Sequence, residues 1–258
     1  MGKHEKMRVA ISAVLITKNA GKQLEQCLQS LSFADEIVVV DSGSSDSTLA
    51  IASAYKAKVI HQEWLGFGPQ KQFAVSQASH DWVLCLDADE YLSEELSFSI
   101  NKIRENPQAA AYRFPRCNRF MGRFLKHGEG YPDWSLRLFD RRRARWSDDA
   151  VHEYVICDGP VEKLAGDLMH ESGEDIALYL FKQNRYTSLQ AEQLHARGKK
   201  VGAGKLLFSP LLRFFKFYFV RRGFLDGLPG LVHISIGCFN SYIKYAKLIE
   251  LRRLDKDR

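Results

Sequence analysis

The sequence predicts an α/β fold: a mostly parallel, twisted sheet with helices on both faces, followed by a helical C-terminal extension. Three observations carry this. Apolar runs rich in Val and Ile alternate with helix-patterned segments over residues 8–106. Several of those runs stop abruptly on turn-forming or acidic residues. From Lys205 onward the chain becomes strongly basic and aromatic.

The first strand is "RVAISAVLITKN" (8–19), leaving the core at Thr17-Lys18-Asn19. In "AGKQLEQCLQSLS" (20–32), Leu24, Cys27, Leu28 and Leu31 share one helical face. "EIVVVDSGS" (36–44) is a β-branched strand that ends in a turn at Asp41, and "DSTLAIASAYK" (46–56) is a helix capped by Asp46 or Ser45. "AKVIHQEW" (57–64) is a short third strand, "GPQKQFAVSQAS" (68–79) a third helix, and "DWVLCLDADE" (81–90) a fourth strand. A helix over 93–106 and a strand beginning near 109 follow. Residues 125–170 are rich in Gly, Asp, Arg, Trp and His and show little periodicity; a helix returns over 176–197. Alternation of this kind implies parallel strands, and such sheets bind ligands at their carboxyl ends, where Asp41, Asp87 and Asp89 fall.

The chain has 258 residues, 45% hydrophobic and 26% charged, which is ordinary for a globular protein and excludes extensive disorder. Its five cysteines (27, 85, 117, 157 and 238) include no C-x-x-C pair and point to reduced thiols rather than a disulfide framework or zinc site. The basic start and short apolar run at the N-terminus lack a small-residue cleavage site, so a strand is expected there rather than a signal peptide. Net charge is +6, unevenly placed: residues 205–258 hold 11 Lys and Arg against four Asp and Glu, or +7, leaving −1 on the first 204. A basic, aromatic tail suits an anionic surface. No nucleic-acid motif or stacking platform accompanies it, which favours membrane over nucleic acid.

In "LDADE", Asp87 and Asp89 stand two apart, so on an extended backbone their carboxylates aim at the same side. Like charges converge around a cation or a shared proton, or else are solvated in a turn. After Asp41, "GSSDST" is turn and cap chemistry, giving Ser44, Asp46 and Thr48 structural roles. No Lys or second Gly completes a phosphate-binding P-loop there. Lys71 is the sole cation of its helix.

With "ITKN", "DSGSSDST", "LDADE" and "VHE" (151–153) in that order, together with "GFGPQKQFA" (66–74) and "RRGFLDGLPG" (221–230), the chain resembles the family 2 glycosyltransferases over essentially its whole length. The likeness is to bacterial lipopolysaccharide-core β-glucosyltransferases. It implies the GT-A fold, a Rossmann-like nucleotide-diphospho-sugar transferase. A nucleotide-sugar-binding half is expected over 1–115, an acceptor-binding half carrying the catalytic base over 116–175, and the helical, membrane-associating extension over 176–258. The resemblance also implies an inverting, metal-dependent transfer of a hexose, glucose by the likeness, from a UDP-sugar to a lipopolysaccharide inner-core heptose. A hard cation, Mn²⁺ or Mg²⁺, would offset diphosphate charge and orient the phosphates.

By the same resemblance Asp89 is the principal metal ligand, Asp87 its partner, and His170 a nitrogen ligand, although a buried hydrogen-bonded histidine fits the sequence almost equally. Asp41 matches the position that accepts a hydrogen bond from uracil. Thr17 and Asn19 belong to the donor site. Lys71 matches a position near the diphosphate, the alternative being a solvated surface lysine. Arg137 meets phosphate. Glu153 is the base that takes the acceptor proton, with His152 as its orienting neighbour and Asp148 and Asp149 as nearby alternatives. "RRRAR" (141–145) is a solvated basic turn that an anionic acceptor, such as a phosphorylated lipid-linked oligosaccharide, would use.

Two other classes place acids or charges similarly. Haloacid-dehalogenase-type phosphatases end their first strand, rather than the fourth, on D-x-D; non-catalytic membrane-binding modules leave the acids unexplained. In the tail, "FSPLLRFFKFYFV" (208–220) is too short and too charged to span a bilayer. On a helix, Ser209, Arg213 and Lys216 share a narrow polar arc opposite Leu, Phe and Tyr, the pattern of a helix lying in a membrane interface, the alternative being an ordinary core helix packed on the catalytic domain. A cytoplasmic enzyme, peripheral on the inner membrane, is expected.

Overall fold

The computed structural model describes residues 8–149, 153–173 and 175–255. In chain order its elements are β1 (Ile11–Thr17), α1 (Leu24–Ser30), β2 (Glu36–Asp41), α2 (Thr48–Ala54), β3 (Lys58–His61), α3 (Phe67–Ser76), β4 (Trp82–Asp87), β5 (Glu90–Leu92), α4 (Glu94–Ile103), β6 (Ala111–Phe120) and β7 (Arg123–Phe124). They continue with β8 (Asp133–Asp140), β9 (Ala144–Trp146), β10 (Val155–Cys157), β11 (Val161–Lys163), β12 (Leu168–His170), α5 (Ile176–Ala196), α6 (Ala203–Phe214) and α7 (Gly227–Leu254). A π-helical turn (Phe215–Val220) extends α6, and a 3-10 turn (Gly223–Asp226) leads into α7.

The chain divides into two compact units, residues 1–117 with 133–171, and residues 118–132 with 172–258. The first unit holds a mixed sheet in the order β3-β2-β1-β4-β8-β6-β12-β5. Its first four strands are parallel, with Ile16 opposite both Val40 and Asp87. The central ones, β1, β2 and β4, are short, β-branched or Leu-rich and buried on both faces, as parallel strands between helical layers must be. Val14, Val38, Val40 and Val83 point to one face, packing with α3 and Trp146; Leu15, Val39, Leu84 and Leu86 point to the other, packing with α1 and α4. Beyond β4 the sheet turns antiparallel through β8 and β6.

This is the α/β fold expected of the sequence, with two corrections. The second half of the sheet is mixed rather than parallel, and β8 to β12 occupy the stretch that lacked periodicity. Asp87 closes β4, but Ala88 and Asp89 form a turn before β5, so the D-x-D pair does not lie on one extended strand.

β1 and β4 are neighbours, yet β1 is followed by β2 on one side while β4 borders the antiparallel half on the other. That reversal of strand order opens a crevice at their carboxyl ends. Thr17 and Asp87 stand there, and the antiparallel pairing of β12 with β5, His170 opposite Glu90, brings His170 to the same edge.

In the second unit α5 and α6 both pack on α7. Asp175 caps α5 by accepting from the Leu178 amide at 2.7 Å. Tyr179 of α5 meets His233 of α7 at 3.2 Å. Two members of the polar arc of α6 are engaged within the unit. Ser209 bonds Ser241 of α7 at 2.8 Å, and the Arg213 guanidinium pairs with the Glu129 carboxylate, Nε at 3.0 Å and a second nitrogen alongside. A Cβ at Gly237 would overlap Glu129, so glycine at that point of α7 makes room for the pair. Arg213 is therefore turned inward, not outward as an interfacial helix with its basic arc exposed would have it.

Candidate active site

Two loops form one wall of the crevice. Asn19 adopts a left-handed backbone (φ 53°), which asparagine tolerates better than most residues. Its amide donates to Ser44 Oγ at 2.8 Å and its Oδ1 accepts from the Ser45 amide at 2.9 Å. Asp46 accepts from the amides of Gly21 and Thr48, and Thr48 Oγ1 accepts from the Ala20 amide at 2.8 Å. The residues after β2 thus tie the loop after β1 in place, but the N-cap position expected of Asp46 or Ser45 falls to Ser47, which makes no side-chain cap bond, and α2 begins at Thr48.

Asp41 lies at the centre of this knot and is almost fully buried. Its Oδ1 accepts from Thr17 Oγ1 at 2.9 Å and Ser44 Oγ at 2.5 Å; its Oδ2 accepts from the amides of Gly43 and Ser44 at 2.9 and 2.8 Å. Burial alone would raise its pKa, but these donors outweigh it and hold the carboxyl below the usual range. Four donors fill the roughly four acceptor sites of a carboxylate. The nucleobase contact expected of Asp41 needs one of them to turn away.

The other wall is built from charge. Lys71 on α3 is buried rather than solvated: its Nζ lies 3.0 Å from Asp87 Oδ1 and 2.8 Å from Glu153 Oε1. A Cβ at Gly68 would strike the Ser147 carbonyl, so α3 approaches that segment this closely only with glycine there. Arg137 on β8, expected at a phosphate, is instead buried beneath the acids, its Nη2 2.9 Å from both Asp87 Oδ2 and Glu90 Oε1. Trp146 packs under this network, its ring centroid 4.9 Å from Lys71 Nζ and 5.5 Å from Arg137 Cζ. Burial pushes the Asp87 carboxyl up, but Arg137 and Lys71 prevail and hold it well below the carboxylate range. The charge on Asp87 is thus balanced first by the protein's own cations.

Glu90 was not among the residues expected in the site, yet it organises this wall. Fully buried, it accepts from the Asp87 amide at 3.0 Å and from Arg137, with Arg116 at 3.6 Å. Burial raises its pKa against the pull of Arg137. Behind the wall, burial pushes the Cys85 thiol up to about 12, so it is inert at neutral pH.

Between the walls lies a cleft of about 630 Å³ whose lining includes Thr17, Asn19, Lys71, Asp87, Asp89, Glu153 and His170. Trp64 and Phe67 also line it, about half exposed and packed edge to face at 4.9 Å. Two large aromatics three apart around Gly66 were the sequence signal that could have revealed them. Asp41 and Arg137 do not line the cleft; they hold side chains that do. Val151 and His152 of "VHE" lie outside the described residues. Asp148 and Asp149 are exposed and do not line the cleft, and Asp148 pairs with Arg145 at 3.7 Å. In "RRRAR", Arg142 is exposed and forks the Asp140 carboxylate, while Arg141 donates to the Ala78 carbonyl at 2.6 Å.

Asp89 Oδ2 and His170 Nε2 meet at 3.2 Å on the cleft wall. Among the described residues no three His, Cys, Asp or Glu side chains form a ready metal cage. One carboxylate and one imidazole, with Asp87 nearby, suit a divalent cation that takes its remaining ligands from phosphate oxygens and water. The donor set therefore fits a cation delivered with a diphosphate better than a permanently caged one.

The sequence profile described as "Glycosyl transferase family 2" matches residues 12–158. An uncharacterized glycosyltransferase of Rickettsia typhi is 34% identical, the alignment covering 93% of this chain and 87% of that protein. The lipopolysaccharide core biosynthesis glycosyltransferase LpsC of Rhizobium meliloti is 29% identical over 96% of this chain and 94% of its own. The crystal structure of Staphylococcus aureus TarS 1–349 in complex with UDP aligns with a TM-score of 0.48 at 15% identity, covering 95% of this chain and 91% of that one.

Proposed function

The chain belongs to glycosyl transferase family 2, and on that basis we propose an inverting transfer of a hexose, glucose by resemblance, from a UDP-sugar to an inner-core heptose of lipopolysaccharide. The observation that carries this reading is Lys71: one buried ammonium touches both Asp87 and Glu153, and all three line the same cleft. Donor acids and a candidate base therefore share one cavity. The lipopolysaccharide acceptor is supported by the name of the Rhizobium meliloti relative.

Glu153 takes the proton of the acceptor hydroxyl as that oxygen bonds the anomeric carbon, and the bond from that carbon to UDP breaks on the opposite side. Lys71 stands where the leaving diphosphate gains charge. Thr17 and Asn19 shape the donor wall, Asp41 pins it, and Arg137 holds Asp87 in place. Asp89, with Asp87 and His170, would hold a Mn²⁺ or Mg²⁺ ion, which when bound offsets diphosphate charge. We place the reaction on the cytoplasmic face of the inner membrane, where an anionic surface would meet the basic tail; no described helix is long and apolar enough to cross a membrane.

Mass spectrometry of core oligosaccharide from a strain lacking the protein tests this reading. A core lighter by one hexose, restored by the wild-type gene and by purified protein with a UDP-hexose, is the expected result. An unchanged core with no UDP released overturns it.

A further inference from the structure

The α6 helix is inside out for a helix packed on protein. Its polar residues Ser209 and Arg213 are engaged within the second unit by Ser241 and Glu129. None of its residues is buried. Leu207, Phe208, Leu211 and Leu212, followed by Phe215 and Phe219 of the π-helical turn, are between 52% and 69% exposed. Leaving six large apolar side chains in water while a partly buried arginine–carboxylate pair takes the protein-facing side is costly unless something covers the outer face.

Charge says what covers it. Lys205, Lys216, Arg221 and Arg222, in or beside the same segment, are exposed, Lys205 lying over the Tyr245 ring at 5.4 Å and Arg221 donating to the Tyr131 carbonyl at 2.6 Å. The one acid between 205 and 228, Asp226, is buried and accepts from the His127 amide at 2.8 Å, with the His127 ring at 3.0 Å. A second copy of the chain on this face would set four cations against four. An anionic surface with an apolar interior meets both features at once.

We propose that the outer face of α6 and the π-helical turn docks on an anionic lipid bilayer, its apolar side chains entering the headgroup–acyl boundary and the four cations meeting lipid headgroups. This keeps the apolar face expected from sequence at the membrane but moves Arg213 from the lipid headgroups to Glu129 of the protein. The inference deepens the proposed location and rests on that reading for which membrane is met; binding itself needs no sugar transfer.

The test is flotation of the full chain with vesicles of phosphatidylcholine alone or mixed with phosphatidylglycerol, alongside UDP binding and sedimentation velocity. Wild type floats with the anionic vesicles, less so at high salt, and poorly with the neutral ones. Leu207→Ser with Leu211→Ser and Phe215→Ser lowers vesicle affinity at least tenfold, with UDP affinity unchanged because these residues lie outside the cleft. Lys216→Gln with Arg222→Gln lowers it by roughly fivefold per cation and flattens the salt dependence. Wild type that fails to float, or a triple Ser variant that floats equally, overturns the proposal. So does a wild-type dimer that the triple Ser variant converts to monomer, since the face would then join two copies. Vesicle binding without UDP binding would sink the enzymatic reading and leave this one standing.

Discussion

At the ends of β2 and β4 an apolar parallel strand stops on an aspartate beside the same cleft, and the two acids meet opposite company. Asp41 is wrapped by four hydrogen-bond donors, three from the loop that directly follows it and one from Thr17 at the end of β1. Asp87 is held by two cations, Lys71 and Arg137, drawn from separate elements, and the Asp89 carboxylate beside it meets His170 at the cleft wall. An acid saturated by local amides and hydroxyls fixes backbone. An acid balanced by charge from distant elements can exchange partners when a charged ligand arrives. The difference suits the end of β2 to shaping the cleft and the end of β4 to meeting a charged ligand, as the proposed function requires.

The largest effect is expected at the far end of the charge network. Glu153→Gln should lower the transfer rate by on the order of 10²–10⁴ while UDP binding stays near wild type, because the base acts on the acceptor alone. Turnover like wild type in the folded variant would move the base to Asp148 or Asp149.

Lys71→Met leaves Asp87 and Glu153 without their shared partner. A stability loss of about 1.5–3 kcal/mol by denaturant unfolding is expected, together with weaker UDP binding. A stable variant with unaltered UDP affinity would mean that Lys71 is a bystander to both walls.

At the end of β2 the expected loss is smaller. Asp41→Asn should cost about 1–2 kcal/mol of stability, with UDP affinity changed less than by Lys71→Met. The pH dependence has a definite sign. Asp41 titrates below the usual carboxylate value of about 3.9 in the folded protein, so its advantage over Asn is complete above about pH 5. It disappears as pH falls through the depressed folded value. A difference in stability that stays constant from about pH 6 to about pH 3 would show that the carboxylate charge does not matter there.

Much of this was legible in the sequence, and the boundary follows contact range. The alternation of strand and helix through residue 106 depends on local periodicity and was readable. The strands β9 to β12, three residues each, are too short for a period-two pattern to stand out. The D-x-D acids were visible because they end an apolar run. Whether Lys71 was solvated or in the site stayed open because its partner Glu153 lies 82 positions away. The arc of α6 was visible too, but its sense was not, since Glu129 lies 84 positions from Arg213. Local pattern says which residues share a face; only the fold decides which face is inside.

Calorimetry of UDP binding with and without Mn²⁺, on wild type and Asp89→Ala, asks most directly whether the end of β4 holds a cation against a nucleotide diphosphate. Mn²⁺ should tighten UDP binding to wild type, and that enhancement should vanish in Asp89→Ala while metal-free UDP affinity changes little. An equal enhancement in both proteins, or none in wild type, would contradict it.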